Sequence, residues 1–309
     1  MSTIPARTLV WLLMLVFGVA LPPAIGQPET RIDLRPKFEK GQQVRLKMEV
    51  TNTSTPVGAA QAPRPPGSRP PAANEPNAPP GQRSRIELGL RLKVQSVAPD
   101  RTATVDLVFD SVKMATKTRD LEVDFDSTKP SKGEEDLMCQ LLEPLVGSTL
   151  TLTVDKDGNI KSVTGGEAFG AIGQFLGSGG GAGDLFGPLF SIKKGNGLVS
   201  VGESWEDVDR IDNSMLGKFK MTTKHTLRSA MGGSAEVDMS GRIEPDSEAG
   251  GEGVAKIRNS RYSGKYSWDT IQGMVKQMDS TMSVELEQDV GGTKTMTRNE
   301  AVTKVTRIR

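Results

Sequence analysis

Cysteine and histidine are almost absent from this 309-residue chain: Cys139 and His225 are the only ones. A lone thiol cannot form an intrachain disulfide, so stability must come from core burial. One histidine with one cysteine also excludes zinc sites assembled from several such ligands. An excess of charge is missing too. There are 39 Lys and Arg against 38 Asp and Glu, so the chain lacks the basic field that drives binding to nucleic acid or anionic membranes. No Gly-x-Ser-x-Gly elbow occurs, which argues against serine–histidine hydrolysis on a strand-to-helix turn. Beyond the N-terminus no apolar run is long enough to cross a bilayer.

What the N-terminus does have is the order of a secretory signal. Arg7 supplies the charged region, Thr8–Leu21 the apolar region, and Ala24-Ile25-Gly26 the small residues of a cleavage site. Cleavage is expected after Gly26, giving a secreted or periplasmic protein with no stable membrane span. Removing residues 1–26 removes only Arg7 and leaves 38 basic against 38 acidic residues. Residues 27–309 read as a single β-rich domain with a Pro-rich, disordered insertion at 53–82. That insertion has almost no large apolar residue to offset its ordering entropy.

The rest of the chain alternates with period two, the signature of strands with one wet and one buried face. In Met274–Gln288, Met274, Lys276, Met278, Ser280, Met282, Val284 and Leu286 share a face. Upstream, Tyr262, Gly264, Tyr266 and Trp268 do the same. In the first half Val44, Leu46, Met48 and Val50 alternate with polar residues, as do Ile86, Leu88, Leu90, Leu92 and Val94. Thr30–Lys37 is expected to form a hairpin with Val44–Thr51. After Ala103, Val105, Leu107 and Phe109 the phase slips near Asp110-Ser111, and Val112 and Met114 take over. A one-residue slip predicts a β-bulge. Turns are expected at Asp155–Gly158, Met231–Ser234 and Gly291-Gly292.

Two stretches change period. Leu137, Met138, Leu141, Leu142 and Leu145 follow Ser131-Lys132-Gly133-Glu134, which has capping-box spacing. Phe169, Ile172, Phe175 and Leu176 share a second helical face, and Leu185, Phe186, Leu189 and Phe190 form another patch after the Gly-rich stretch 177–183. The predicted fold is therefore mainly β: a curved antiparallel sheet of roughly ten to twelve strands, a half-barrel or open barrel, with two short helical segments covering its apolar face.

Few residues carry chemistry. His225 lies on the Phe219, Met221 and Leu227 face of its strand and reads as a half-buried core histidine, with a general base or metal ligand as the alternative. Asp155, Asp157 and Asn159 match the start of a calcium loop. However, Ile160 stands where the sharp-turn glycine belongs and Gly166 where the bidentate glutamate belongs, so a plain turn is expected. Cys139 reads as a buried, inert thiol. Tyr262, Tyr266 and Trp268 are either core or a sugar-stacking platform with Gly264 leaving room for a flat ligand. Phe169, Phe175, Phe186 and Phe190, beside a glycine hinge, could form a lid over a hydrophobic ligand or simply be docked.

Phe38-Glu39-Lys40-Gly41-Gln42, Val201-Gly202-Glu203-Ser204-Trp205 and Tyr266-Ser267-Trp268-Asp269 with Gly273 resemble pieces of a family of exported bacterial β-proteins of unknown function. The resemblance implies a secreted β-rich fold and no established activity. The architecture is more distantly similar to periplasmic lipoprotein carriers. The expectation is a non-enzymatic exported protein without cofactor or metal. It would bind a hydrophobic small molecule or envelope component through an apolar concave face formed by Phe169, Phe175, Phe186, Phe190, Tyr262, Tyr266 and Trp268. The alternative is an envelope structural or interaction module that binds protein or glycan.

Overall fold

The computed structural model describes residues 31–57, 82–117, 122–129, 140, 142–165, 169, 181–192, 197–213, 217–246, 255–290 and 293–308. These lie in one compact unit, Arg31–Arg309. The alternating segments form β2 (Gln43–Val57), β3 (Gln82–Val97), β4 (Ala103–Lys117), β5 (Glu122–Asp126), β6 (Thr149–Val154) and β7 (Ile160–Gly165), then β9 (Ser204–Asn213), β10 (Gly217–Met231), β11 (Ser234–Pro245), β12 (Ala255–Asp269), β13 (Met274–Val290) and β14 (Thr293–Ile308). They make one 12-stranded antiparallel sheet in the order β7-β6-β4-β3-β2-β14-β13-β12-β11-β10-β9, with β5 on the far half of β4. Most neighbours are consecutive hairpin partners. The first and last long strands, β2 and β14, join the two halves.

The strand count matches the expectation, and the sheet stays open, with β7 and β9 at its two ends. Its apolar residues form one large core cluster and a smaller, separate one of Phe219, Ile243, Val284 and Leu286. Leu46, Leu92, Val105, Leu107 and Leu152 are at most 1% exposed in the large one. A curl of this width encloses more space than its own side chains fill. Phe186, Leu189, Phe190 and Ile192 plug it, all buried. Phe109 meets Phe169 at 6.0 Å and Phe186 at 6.1 Å, while Phe38 meets Phe190 at 6.0 Å.

The predicted helices are corrected. Among the described residues, helical structure amounts to the 3-10 turns Glu143–Leu145 and Gly187–Leu189, the five-residue helix Ala182–Phe186, and the single positions Gln140, Leu142 and Phe169. Pro144 and Pro188 sit in the first turns of the two 3-10 pieces, where a missing N–H is harmless. Helices this short cannot stand on propensity; burial of Leu142, Leu145, Phe186 and Leu189 holds them. Residues 130–139, with the capping box and Cys139, lie outside the described residues, as do 170–180, with Phe175, and the signal-like segment 1–26.

The expected N-terminal hairpin is also corrected. Ile32–Asp33 (β1) pairs with Leu198–Val199 (β8), not with β2. Leu34 N–H donates to the Gly197 carbonyl at 2.8 Å, and Pro36 deprives the segment of a ladder donor. Within the expected insertion 53–82, Thr53–Val57 and Gln82 are strand, and 58–81 lie outside the described residues. Pro56 lies past the last β2–β3 pair, Ser54–Gln82. Only β14 flanks that part of the strand among the described residues, so a missing N–H is tolerated there.

The bulge falls where the phase slips: Gly89 pairs with Ser111 and Leu90 with Phe109, leaving Asp110 unpaired. Other irregularities were not foreseen, among them one that sets the inward face of β13. Ser267 pairs with Gln277 but Trp268 pairs with Val275, so Val275, not Lys276, turns inward and is fully buried. Met231 pairs with Ser234 across Gly232 (φ 58°) and Gly233 (φ 76°), both in the left-handed region that a two-residue hairpin turn of this kind needs. β13 and β14 pair up to Val290–Thr293, which leaves a two-residue connection.

Candidate binding cleft

The plug does not fill the interior completely. A cleft of about 360 Å³ remains between the two ends of the sheet. One wall is the β6–β7 turn, Gly158–Ile160, with Pro188, Ser191 and Ile192 of the plug. The other is the inner face of β9 to β13: Asp207 and Asp209; Met221, Thr223 and His225; Met239; Tyr262 and Tyr266; and Met278. Each strand's alternation dictates which of its residues line the cleft. Thr223 and His225 follow Phe219 and Met221 on the inner face of β10, and pairing sets Asp207 opposite Thr223 and Trp205 opposite His225.

The apolar part is soft and aromatic. Met221, Met239 and Met278 supply adaptable thioethers, and Tyr262 lies beside them. Burial pushes both tyrosine hydroxyls above their usual pKa, Tyr266 strongly so, although a bond with Ser280 pulls Tyr262 back. Both therefore remain neutral phenols. Tyr266 donates to the Pro188 carbonyl, which fixes the plug to the sheet.

The polar end is built around His225, which is 8% exposed. The Trp205 indole stacks on its ring at 5.3 Å and 10°. His225 Nε2 stands 3.3 Å from Asp207 Oδ2. That is an ion-pair distance without hydrogen-bond alignment, and Asp207 Oδ2, His225 Nδ1 and Thr223 Oγ1 are buried without a hydrogen-bond partner among the described residues. Arg210, at the same rim, is held by Asp246 at 3.1 Å.

Of the residues singled out from the sequence, the cleft brings together Tyr262 and Tyr266. Trp268, at 0% exposure, is core, as are Phe186 and Phe190 at 0% and Phe169 at 5%. These three Phe are packed into the core in this structure, while Phe175 lies outside the described residues. A flat ligand has no room at Gly264, because the Asp279 carbonyl and the Met239 methyl, 2.9 Å from where a Cβ would stand, already occupy that space. His225, weighed from the sequence as a core histidine or a base or metal ligand, also lines the cleft, while Thr223, Asp207 and the methionines were not singled out as site residues. The available signal was the change from apolar to polar at Thr223 and His225 on an inward strand face.

The calcium-like turn is an Asx turn. Asp155 Oδ1 accepts the N–H groups of Asp157 and Asn159, each at 2.9 Å. The Asn159 amide and Lys161, each at 3.0 Å, engage Oδ2. Gly158 (φ 86°) lets the turn press on the plug, since a Cβ there would strike the Phe190 carbonyl. Burial alone would raise the Asp155 pKa; the hydrogen bonds from Asn159, Lys161 and Asp157 outweigh it and hold it at about 2. A depressed carboxyl stabilises the fold above its unfolded pKa, and that contribution is lost as pH falls through the folded value. Asp155→Asn is therefore expected to cost up to about 2 kcal/mol at pH 6. The gap should close between about pH 4 and pH 2. Urea unfolding at several pH values measures it, and a gap independent of pH would show the charge to be irrelevant.

Residues 100–171, less than half of the chain, match a family of unknown function (DUF6263). The match runs from β4 through the cleft's β6–β7 turn to just past Phe169. No curated protein sequence matches. Among solved structures, DynF from the dynemicin biosynthesis pathway of Micromonospora chersina is similar over 91% of this chain and 86% of its own, at 7% identity and a TM-score of 0.20. At that score the likeness carries no argument about fold or function. The chain thus shares a segment with proteins of unknown function, and its own geometry has to supply the reading.

Proposed function

We propose that this is an exported, non-enzymatic binding protein that takes a small hydrophobic molecule with a polar group into the cleft between the two ends of its sheet. The observation that carries the reading is the cleft itself. Its volume of about 360 Å³ falls at the small end of ligand sites, and an apolar lining with a few convergent polar groups is their usual make-up. The ligand is smaller than the Phe-lined face suggested from sequence, because the plug already occupies that face.

The test is to purify the protein natively, extract it with organic solvent, and compare the extract by mass spectrometry with that of a Met239→Trp variant. Met239 lines the cleft and is 6% exposed, so the larger indole takes up ligand space. An apolar compound enriched on the wild type and lost from a folded variant is the expected result. Equal recovery from both proteins, or no enriched compound, would sink the reading.

A further inference from the structure

Resting on that reading, we infer that the cleft selects small amphipathic amines, molecules with an ammonium head on an apolar body. Three observations converge. First, the buried polar atoms at its inner end, Asp207 Oδ2, His225 Nδ1 and Thr223 Oγ1, have no hydrogen-bond partner among the described residues. Thr223 and His225 are 4% and 8% exposed and line the cavity. Buried polar atoms left in this condition are costly, which makes them the natural contact points for a ligand.

Second, what these atoms want is a donor. The carboxylate only accepts. A neutral imidazole offers a lone pair on one of its two ring nitrogens. The Thr223 hydroxyl accepts as readily as it donates, and an ammonium brings three N–H donors. Third, the Asp207 carboxylate lines the cleft, and Arg210, the one lysine or arginine in its lining among the described residues, is turned to Asp246 at 3.1 Å. A carboxylate head would meet a like charge at Asp207, and a purely apolar ligand would strand three polar atoms. The faces of Tyr262 and Tyr266 and the thioethers of Met221, Met239 and Met278 suit the apolar body and the edge of a cation.

The experiment is isothermal titration of the full chain, freed of bound compounds by refolding, with hexylamine, hexan-1-ol and hexanoate at pH 7.5. The expected result is hexylamine binding at least tenfold tighter than hexan-1-ol, with hexanoate weakest. Asp207→Asn should weaken hexylamine binding at least tenfold and remove its preference over hexan-1-ol, with folding checked by circular dichroism. If that variant does not fold, the ranking on the wild type and on Thr223→Val decides. Hexan-1-ol or hexanoate binding as tightly as hexylamine would overturn the amine inference and leave the binding reading standing. Failure of all three to bind at millimolar concentration would overturn both.

Discussion

Trp268→Ala is expected to cost about 3–5 kcal/mol, the range for deleting a large aromatic side chain from a packed core. The indole is fully buried. It pairs with Ala235 on one side and Val275 on the other, and its ring lies 5.9 Å from that of Tyr266. Truncation opens a hole at the strand that carries the cleft's tyrosines, so the loss spreads to the site. The indole N–H has no hydrogen-bond partner among the described residues. Trp268→Phe removes that orphan along with a little volume, and should cost only about 1–2 kcal/mol. Urea unfolding of both variants measures the pair. A loss below about 1 kcal/mol for Trp268→Ala, with retention on a glycan column abolished, would restore the sugar-platform alternative.

Alternation made most of the sheet readable, because an inward face has to be apolar and a strand turns every second residue to it. Leu46, Leu90, Val105 and Leu152 could be placed on the buried face from their spacing alone, and all four are at most 1% exposed. Even the irregularity at Asp110 was legible, since a bulge leaves its phase slip in the sequence. The bulge at Lys276 was not. Met274, Val275 and Met278 are all apolar, so either phase satisfies the local pattern, and the choice is made by Trp268 across the strand pair. Which strands are neighbours at the β2–β14 seam, and the pairing of Ile32 with Val199, depend on distant closure that no local pattern encodes.

The site was legible only where it overlaps the core. Tyr262 and Tyr266 stood out as aromatic residues on an inward face. Their neighbours did not, because His225 on an otherwise apolar strand reads as a tolerated core residue until its surroundings are known. Only folding brings Asp207 across from Thr223 and the β6–β7 turn to face them from the other end of the sheet. For the Phe-rich segment the sequence left lid and docked connector both open, since glycines beside apolar residues suit either. Phe186 and Phe190 are buried here and Tyr266 bonds the Pro188 carbonyl, the packing of a docked segment.

Arg307→Ala is expected to destabilise the protein by about 2–4 kcal/mol, somewhat below the figure for breaking a fully buried pair because the guanidinium is 21% exposed. Arg307 sits on β14 opposite Leu46 and ends the inward row that contains Val305. Its Nη1 donates to Asp269 Oδ2 at 3.0 Å and to the Gln272 side chain at 2.7 Å, and its Nη2 to the Val275 carbonyl at 2.9 Å. Asp269 in turn accepts the N–H groups of Ile271 and Gln272 at 3.0 and 2.9 Å, closing the β12–β13 turn. Burial alone would raise the Asp269 pKa, but those N–H groups, with Lys276 and Arg307, bring it below the usual carboxylate value. The charged pair therefore stabilises the fold at neutral pH, and the contribution fades as acid protonates Asp269. Lysine cannot reproduce the planar fork, so Arg307→Lys should recover less than half of the loss. Urea unfolding at pH 7 gives both values, and hydrogen exchange locates the effect: protection should fall at Asp269–Val275 and along the end of β14 before it falls in β3 and β4. A full rescue by lysine would mean that charge alone, rather than the forked geometry, ties the C-terminal strand to the turn.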